Sequence, residues 1–165
     1  MKKHQPYTYV LVFLILTAEV LSAAAEPNAM DTVHQQIEQV WRIRQDTTGL
    51  DAFGRQTMAQ AMKILPLKSQ AVKPLISYLT LENDWMIRYW IIDLLGYFKS
   101  DEIVDILSAV IRDASEELDV RLKAVESMQK QEYHSADNAL RSLSKLKLDK
   151  KIAKSIRKSL KIFKD

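Results

Sequence analysis

The stretch that decides the fold is Asp84-Trp85-Met86-Ile87-Arg88-Tyr89-Trp90-Ile91-Ile92-Asp93-Leu94-Leu95-Gly96. Its arginine recurs every 33 residues, at Arg55, Arg88 and Arg121, and a similar apolar frame follows each time. Three and four places on stand Met58 and Ala59, then Ile91 and Ile92, then Ala124 and Val125. Six and seven places on stand Ala61 and Met62, Leu94 and Leu95, Ser127 and Met128. Spacings of three, four and seven put these side chains on one face of a helix. A period in this range belongs to stacked supersecondary units, each too small to bury its apolar face alone.

Read outward with that period, the chain divides into four helix pairs: 31–45 with 51–65, 71–81 with 84–98, 101–113 with 116–131, and 135–145 with 149–163. Val33, Ile37, Val40 and Trp41 form the apolar stripe of the first helix, Thr47-Thr48-Gly49 breaks it, and Pro66 stops the second. Pro74 falls in a first turn, where its missing N–H has no helical partner. Asn83 or Asp84 is placed to cap the helix that follows. Asp101 with Glu102, and Glu116 with Glu117, set negative charge at helix N-termini, where the dipole favours it. In the last pair the arginine place is shifted by one and held by Ala153, while Ile152, Ile156 and Leu160 keep the apolar frame. Terminal units commonly depart from a repeat because one side faces solvent.

Composition agrees. Three glycines and four prolines in 165 residues leave little material for sheet turns, and the abundance of good helix formers points to an all-α chain. The architecture expected is a right-handed α-solenoid of about four helix pairs.

The first 25 residues read as a signal peptide. Lys2, Lys3 and His4 give a basic start, Val10 to Thr17 an apolar run, and Ala23-Ala24-Ala25 the small residues that precede cleavage. The run is short of the roughly 20 apolar residues that span a bilayer, and Glu19 interrupts it. Cleavage near Ala25 would leave a linker over 26–30 and a repeat domain over 31–165, in the periplasm or outside the cell. With no cysteine in the chain, a lipidated cysteine anchor and disulfides are both excluded, so the domain is held by packing alone.

The net charge of +3 hides an asymmetry. Residues 26–140 carry 12 Lys or Arg against 18 Asp or Glu, whereas residues 141–165 carry 10 against 2. An acidic body thus ends in a basic tip.

The units resemble the HEAT-like repeat family. Its second helix opens on an Asp, continues with an aliphatic residue and an Arg, and keeps small or aliphatic residues three and six places on. Asp84 to Arg88 with Leu94-Leu95-Gly96 is similar to one such unit, and Asp119-Val120-Arg121 with Ala124 and Met128 to another. The resemblance covers 71–131 well, extends over 149–160, and weakens before Pro66, where Gly54 stands in an aliphatic place. It implies the role of a scaffold, inhibitor or adaptor and occasionally of an enzyme, and for the arginines it implies ties from one repeat to the next.

Four residues are candidates for a binding surface: Trp85, Arg88, Tyr89 and Arg121. Trp85 and Tyr89 lie four apart and share a helix face, with Arg88 between them and Trp90 turned inward. Exposed aromatics beside arginine anchor protein interfaces at low entropic cost. The arginines could alternatively form an anion-binding ladder, but a spacing that obeys the repeat favours structural ties. A second candidate is the basic face of the last helix, Lys150, Lys154, Arg157 and Lys161, widened by Lys151, Lys158 and Lys164. Such a face either caps the array or lies on an anionic membrane surface. His34 and His134 sit at opposite ends and offer no metal site. No nucleophile-elbow, phosphate-loop or zinc-protease pattern occurs, so neither a cofactor nor a metal is expected. The reading is a non-catalytic module for a protein partner in the envelope or extracellular space, with no nucleic acid. The alternatives are a peripheral membrane binder and an enzyme of unrecognised site.

Overall fold

The computed structural model describes residues 28–131 and 134–162. The leader over 1–25, its cleavage site at Ala25, and Lys164 lie outside the described residues. Within them the chain is helical throughout. The pairs are α1 (Ala29–Gln45) with α2 (Leu50–Ile64), α3 (Val72–Leu81) with α4 (Trp85–Leu95), α5 (Asp101–Arg112) with α6 (Leu118–Lys130), and α7 (His134–Leu143) with α8 (Lys150–Ile162). A 3-10 segment, Leu65–Ala71, joins the first pair to the second.

Local chemistry sets the ends. Asn28 accepts a hydrogen bond from the Asp31 N–H at 3.0 Å, so α1 begins at Ala29 and the expected linker over 26–30 is already helical by its end. Asp84 caps α4 by accepting from the N–H groups of Met86 and Ile87 at 2.9 and 3.2 Å. Helix α4 stops at Leu95, three residues before the expected end, where Gly96 takes the C-cap place. Pro66 ends α2 as expected, but the chain continues as 3-10 turns with Lys68 at φ 52°, ψ −132°. A non-glycine residue in that region is strained.

Helices α2, α4, α6 and α8 pack side by side along one face, and the first helix of each pair lies behind. The fit is close from α4 to α6 and from α6 to α8, but α2 meets α4 only sparsely. One continuous core runs between the layers, from Val33 and Phe53 through Leu75, Ile87, Ile91, Leu107 and Met128 to Leu140, Ile152 and Ile156. Each such side chain removed from water stabilises the fold by roughly 1.5–3 kcal/mol.

The first unit departs from the expected register. Met58 and Met62 are 60% and 62% exposed, and Trp41, placed on the α1 stripe, is 40% exposed. The packed residues of α2 are Phe53, Thr57, Ala61 and Ile64. They stand 34 places before Ile87, Ile91, Leu95 and Phe98, whereas those four stand 33 places before Val120, Ala124, Met128 and Gln131. The slip of one residue puts Gly54, not Arg55, opposite Arg88. It explains why Arg55 is exposed and why the methionines turn outward. In α8 the slip is reversed: Ile152 and Ile156 are buried with Ser159, and Leu160 only in part.

Candidate functional site

The arginines of the repeat are fastened within the array. Arg88 donates through Nε to Glu116 at 2.9 Å and through Nη2 to the same carboxylate. Its Nη1 donates to the carbonyls of Leu79 and Glu82 at the end of α3. Arg121 is buried and donates from Nε and Nη2 to the Ile111 carbonyl, 3.1 and 3.0 Å away. Both close helix C-termini, where carbonyls lack intrahelical donors, and Arg88 also ties its pair to the next. These bonds engage Nε and both Nη groups of Arg88, and Nε and Nη2 of Arg121, inside the array, the ties that the resemblance implied for the arginines. At the junction of the first two pairs the tie comes from Arg44 in the last turn of α1, which sequence reading did not single out. Its Nε reaches both oxygens of Asp84, and its Nη1 donates to the Thr47 carbonyl at 2.9 Å.

The aromatic candidates divide. Trp90 is buried, as expected, and Trp85 is half-buried against the core. Tyr89 opens a stripe on α4 that continues through Asp93 and, just past the helix end, Tyr97. This stripe meshes with Lys123, Glu126 and Lys130 of α6. Lys123 Nζ lies 4.8 Å from the Tyr89 ring centroid, and Lys130 Nζ 4.4 Å from that of Tyr97. Asp93 sits between them, 2.6 Å from Lys130 Nζ and 3.4 Å from Lys123 Nζ. Lys123 also donates to Glu126 at 2.7 Å. Burial works against the charge on Lys123, but its bonds to Glu126 and Tyr89 and the charge of Asp93 outweigh that, holding its pKa above the ordinary lysine value. Burial likewise opposes the charge on Lys130, and Asp93 outweighs it. The ladder balances two lysines against two carboxylates, Asp93 and Glu126, and each lysine is held by a carboxylate and an aromatic ring.

Where α2 parts from α4, the ladder borders an apolar cleft of about 110 Å³. Phe53, Gly54, Met58 and Ala61 form one wall, and Tyr89, Trp90, Asp93, Leu94 and Tyr97 the other. Tyr97 is 56% exposed at its mouth. Tyr89 also lines a shallower groove of about 370 Å³ that runs over Asp119, Lys123 and Glu126 to Ser155 and Lys158 of α8. A single face thus offers a small apolar socket and a polar track leading from it. Sequence reading missed Met58, Met62 and Tyr97 as surface residues. The spacing of Tyr89, Asp93 and Tyr97 was a usable signal; the slip that exposes the methionines was not.

The basic residues Lys150, Lys154, Arg157 and Lys161 stand exposed on α8, on the side away from Ile152 and Ile156. At the other end His34 stacks on Tyr78 with centroids 5.9 Å apart and lies 3.2 Å from Glu38. Among the described residues no three His, Asp or Glu side chains converge on a point that could hold a metal, and no helix is long and apolar enough to cross a membrane.

Residues 69–161, more than half of the chain, match the family model described as HEAT repeats. The match begins after the first pair, the unit that slips from the register. No curated protein and no solved structure matches the chain. With the stacked pairs, the buried arginine ties and this match in agreement, the chain belongs to the HEAT-repeat family.

Proposed function

We propose that the chain is an exported, non-catalytic module that holds a protein partner on the face built by α2, α4, α6 and α8. HEAT repeats generally mediate protein interaction and scaffolding. The observation that carries the reading is the cleft between α2 and α4, lined by the exposed Met58 and Tyr97, with Met62 exposed one turn beyond Met58. Thioethers adapt to varied apolar shapes, and a tyrosine at the rim of a socket is a common centre of binding energy. A leucine or phenylalanine of the partner enters the cleft, and its flanking polar groups follow the track toward α8. Export rests on the basic start, the apolar run and the alanines before Glu26.

Two experiments test it. N-terminal sequencing of the protein from cells should find Glu26 first, and recovery of an intact leader on a cytosolic protein overturns the export claim. Affinity capture from envelope extract should retain a specific protein on the native chain and lose it on Met58→Glu with Met62→Glu. Both sites are exposed, so the double variant keeps its fold. Capture unaffected by the double variant overturns the cleft as the site.

A further inference from the structure

Helix α8 closes the array with six cations, Lys150, Lys151, Lys154, Arg157, Lys158 and Lys161, all exposed. At 100° per residue they fall within an arc of about 120°. That arc is opposite the one on which Ile152, Ile156 and Ser159 are buried. Along the axis the six cover about 16 Å. Among the described residues none of them enters an ion pair, whereas Arg44, Arg88, Lys123 and Lys130 all do.

Capping alone does not account for this surface. A terminal repeat needs a polar outer side, which serine, glutamine or mixed charges would supply. Here Lys150 and Lys154, Lys154 and Lys158, and Arg157 and Lys161 are like charges four apart, a spacing that destabilises a helix. Lys150 and Lys151 also stand in the first turn, against the helix dipole, where the Asp149 carboxylate, accepting from the Lys151 N–H at 2.7 Å, offsets them only in part. A cap that works against its own helix in two ways has another use for the charge.

We infer that this arc docks the protein end-on to anionic lipid headgroups. The apolar side of α8 is already buried in the array, so the helix stays in place and meets the surface with its charges rather than by insertion. Ile162, 52% exposed at the edge of the arc, reaches below the headgroups. The body orients the molecule: residues 26–140 carry 18 acidic against 12 basic side chains, and an anionic surface repels them while it attracts the tip. A second copy is a poorer occupant, because residues 26–140 set 12 cations among their 18 carboxylates, whereas anionic headgroups present one sign of charge. Nucleic acid is poorer too, because the arc offers no aromatic platform for bases. The arc shares no residue with the α2–α4 cleft, so either assignment can fail without the other.

The test is flotation of the purified protein with vesicles of phosphatidylcholine alone or mixed with phosphatidylglycerol, at low and physiological salt. The native chain should float with the mixed vesicles only, and less as salt rises. Replacing Lys150, Lys154, Arg157 and Lys161 by Gln should weaken binding by roughly two orders of magnitude or more, with helicity and thermal midpoint retained. Replacing Arg42, Lys63, Lys73 and Lys99 by Gln removes the same charge elsewhere and should leave binding within a few-fold of native. Absence of flotation, flotation on phosphatidylcholine alone, or equal losses from the two sets would each overturn the inference. So would charge-dependent self-association or duplex DNA binding without flotation, which would assign the arc to a second copy or to nucleic acid.

Discussion

Arg44 and Asp84, forty residues apart in the chain, meet across the first junction of the array: the arginine Nε lies 3.1 and 2.9 Å from the two carboxylate oxygens. The same carboxylate caps α4 through the N–H groups of Met86 and Ile87. One side chain therefore starts a helix and fastens it to the preceding pair. Arg88 and Glu116 make the corresponding tie at the next junction.

That double use ranks three variants. Asp84→Ala loses the cap and strands Arg44, and should cost about 2–3 kcal/mol. Asp84→Asn keeps a good cap and loses only the charge, and Arg44→Ala leaves the cap intact; each should cost about 1 kcal/mol. Urea unfolding reads the order, and equal losses for Asp84→Ala and Asp84→Asn would show that the cap contributes nothing.

Two helix-associated glycines should respond to alanine with opposite signs. A Cβ at Gly96 would stand 2.9 Å from both Cα and Cβ of Ser127 in α6. Backbone cannot yield cheaply, so Gly96→Ala should cost about 1–3 kcal/mol. Gly54 within α2 has no atom within 4 Å of such a Cβ, and Gly54→Ala should stabilise by roughly 0.5–1 kcal/mol. Thermal unfolding of the pair checks both.

Lys68 holds a positive φ in the 3-10 link between the first two pairs. Glycine reaches that conformation without a Cβ clash, and Lys68→Gly should raise stability by about 1 kcal/mol. A loss would mean that the lysine side chain, not the backbone geometry, matters there.

Alkali should loosen the α4–α6 ladder. Lys123 and Lys130 have pKa values raised above the ordinary 10.5. Between the unfolded and folded values the unfolded chain has lost a proton that the folded chain keeps. Their contribution is therefore full below about pH 10.5 and falls as pH rises beyond it. Stability measured from pH 9 to 11.5 should drop less steeply in Lys123→Gln than in the native chain, and parallel curves would place the alkaline loss elsewhere.

The second and third pairs were legible because every place buried at the 33-residue period in α4 is apolar, as at Ile87, Ile91 and Leu95. The first pair was not, for a physical reason. Its packed places include Thr57, buried, and Ala61, half-buried, which are too polar or too small to announce a core, while Met58 and Met62 beside them imitate one. Thr57 is satisfied by donating to the Phe53 carbonyl at 2.8 Å, a local bond that no periodicity reveals. At the site, the succession Tyr89, Asp93 and Tyr97 could be read from spacing. Lys123 and Lys130 could not, because their partners lie on a neighbouring helix. The parting of α2 from α4 adjoins a link in an unusual conformation at Lys68, which no pattern in the chain declares.

The most direct measurement places a photo-crosslinking residue in turn at Met62, one turn beyond Met58, at Tyr97 in the cleft mouth, and at Gln35 and Arg42, exposed on α1. Crosslinking is done in cells that make the full chain. The account predicts one discrete protein adduct, shared by Met62 and Tyr97, absent from Gln35 and Arg42, and lost when Met58→Glu is added. Adducts of equal yield from both sets of positions, or from α1 alone, would contradict a partner held on the α2–α4 face.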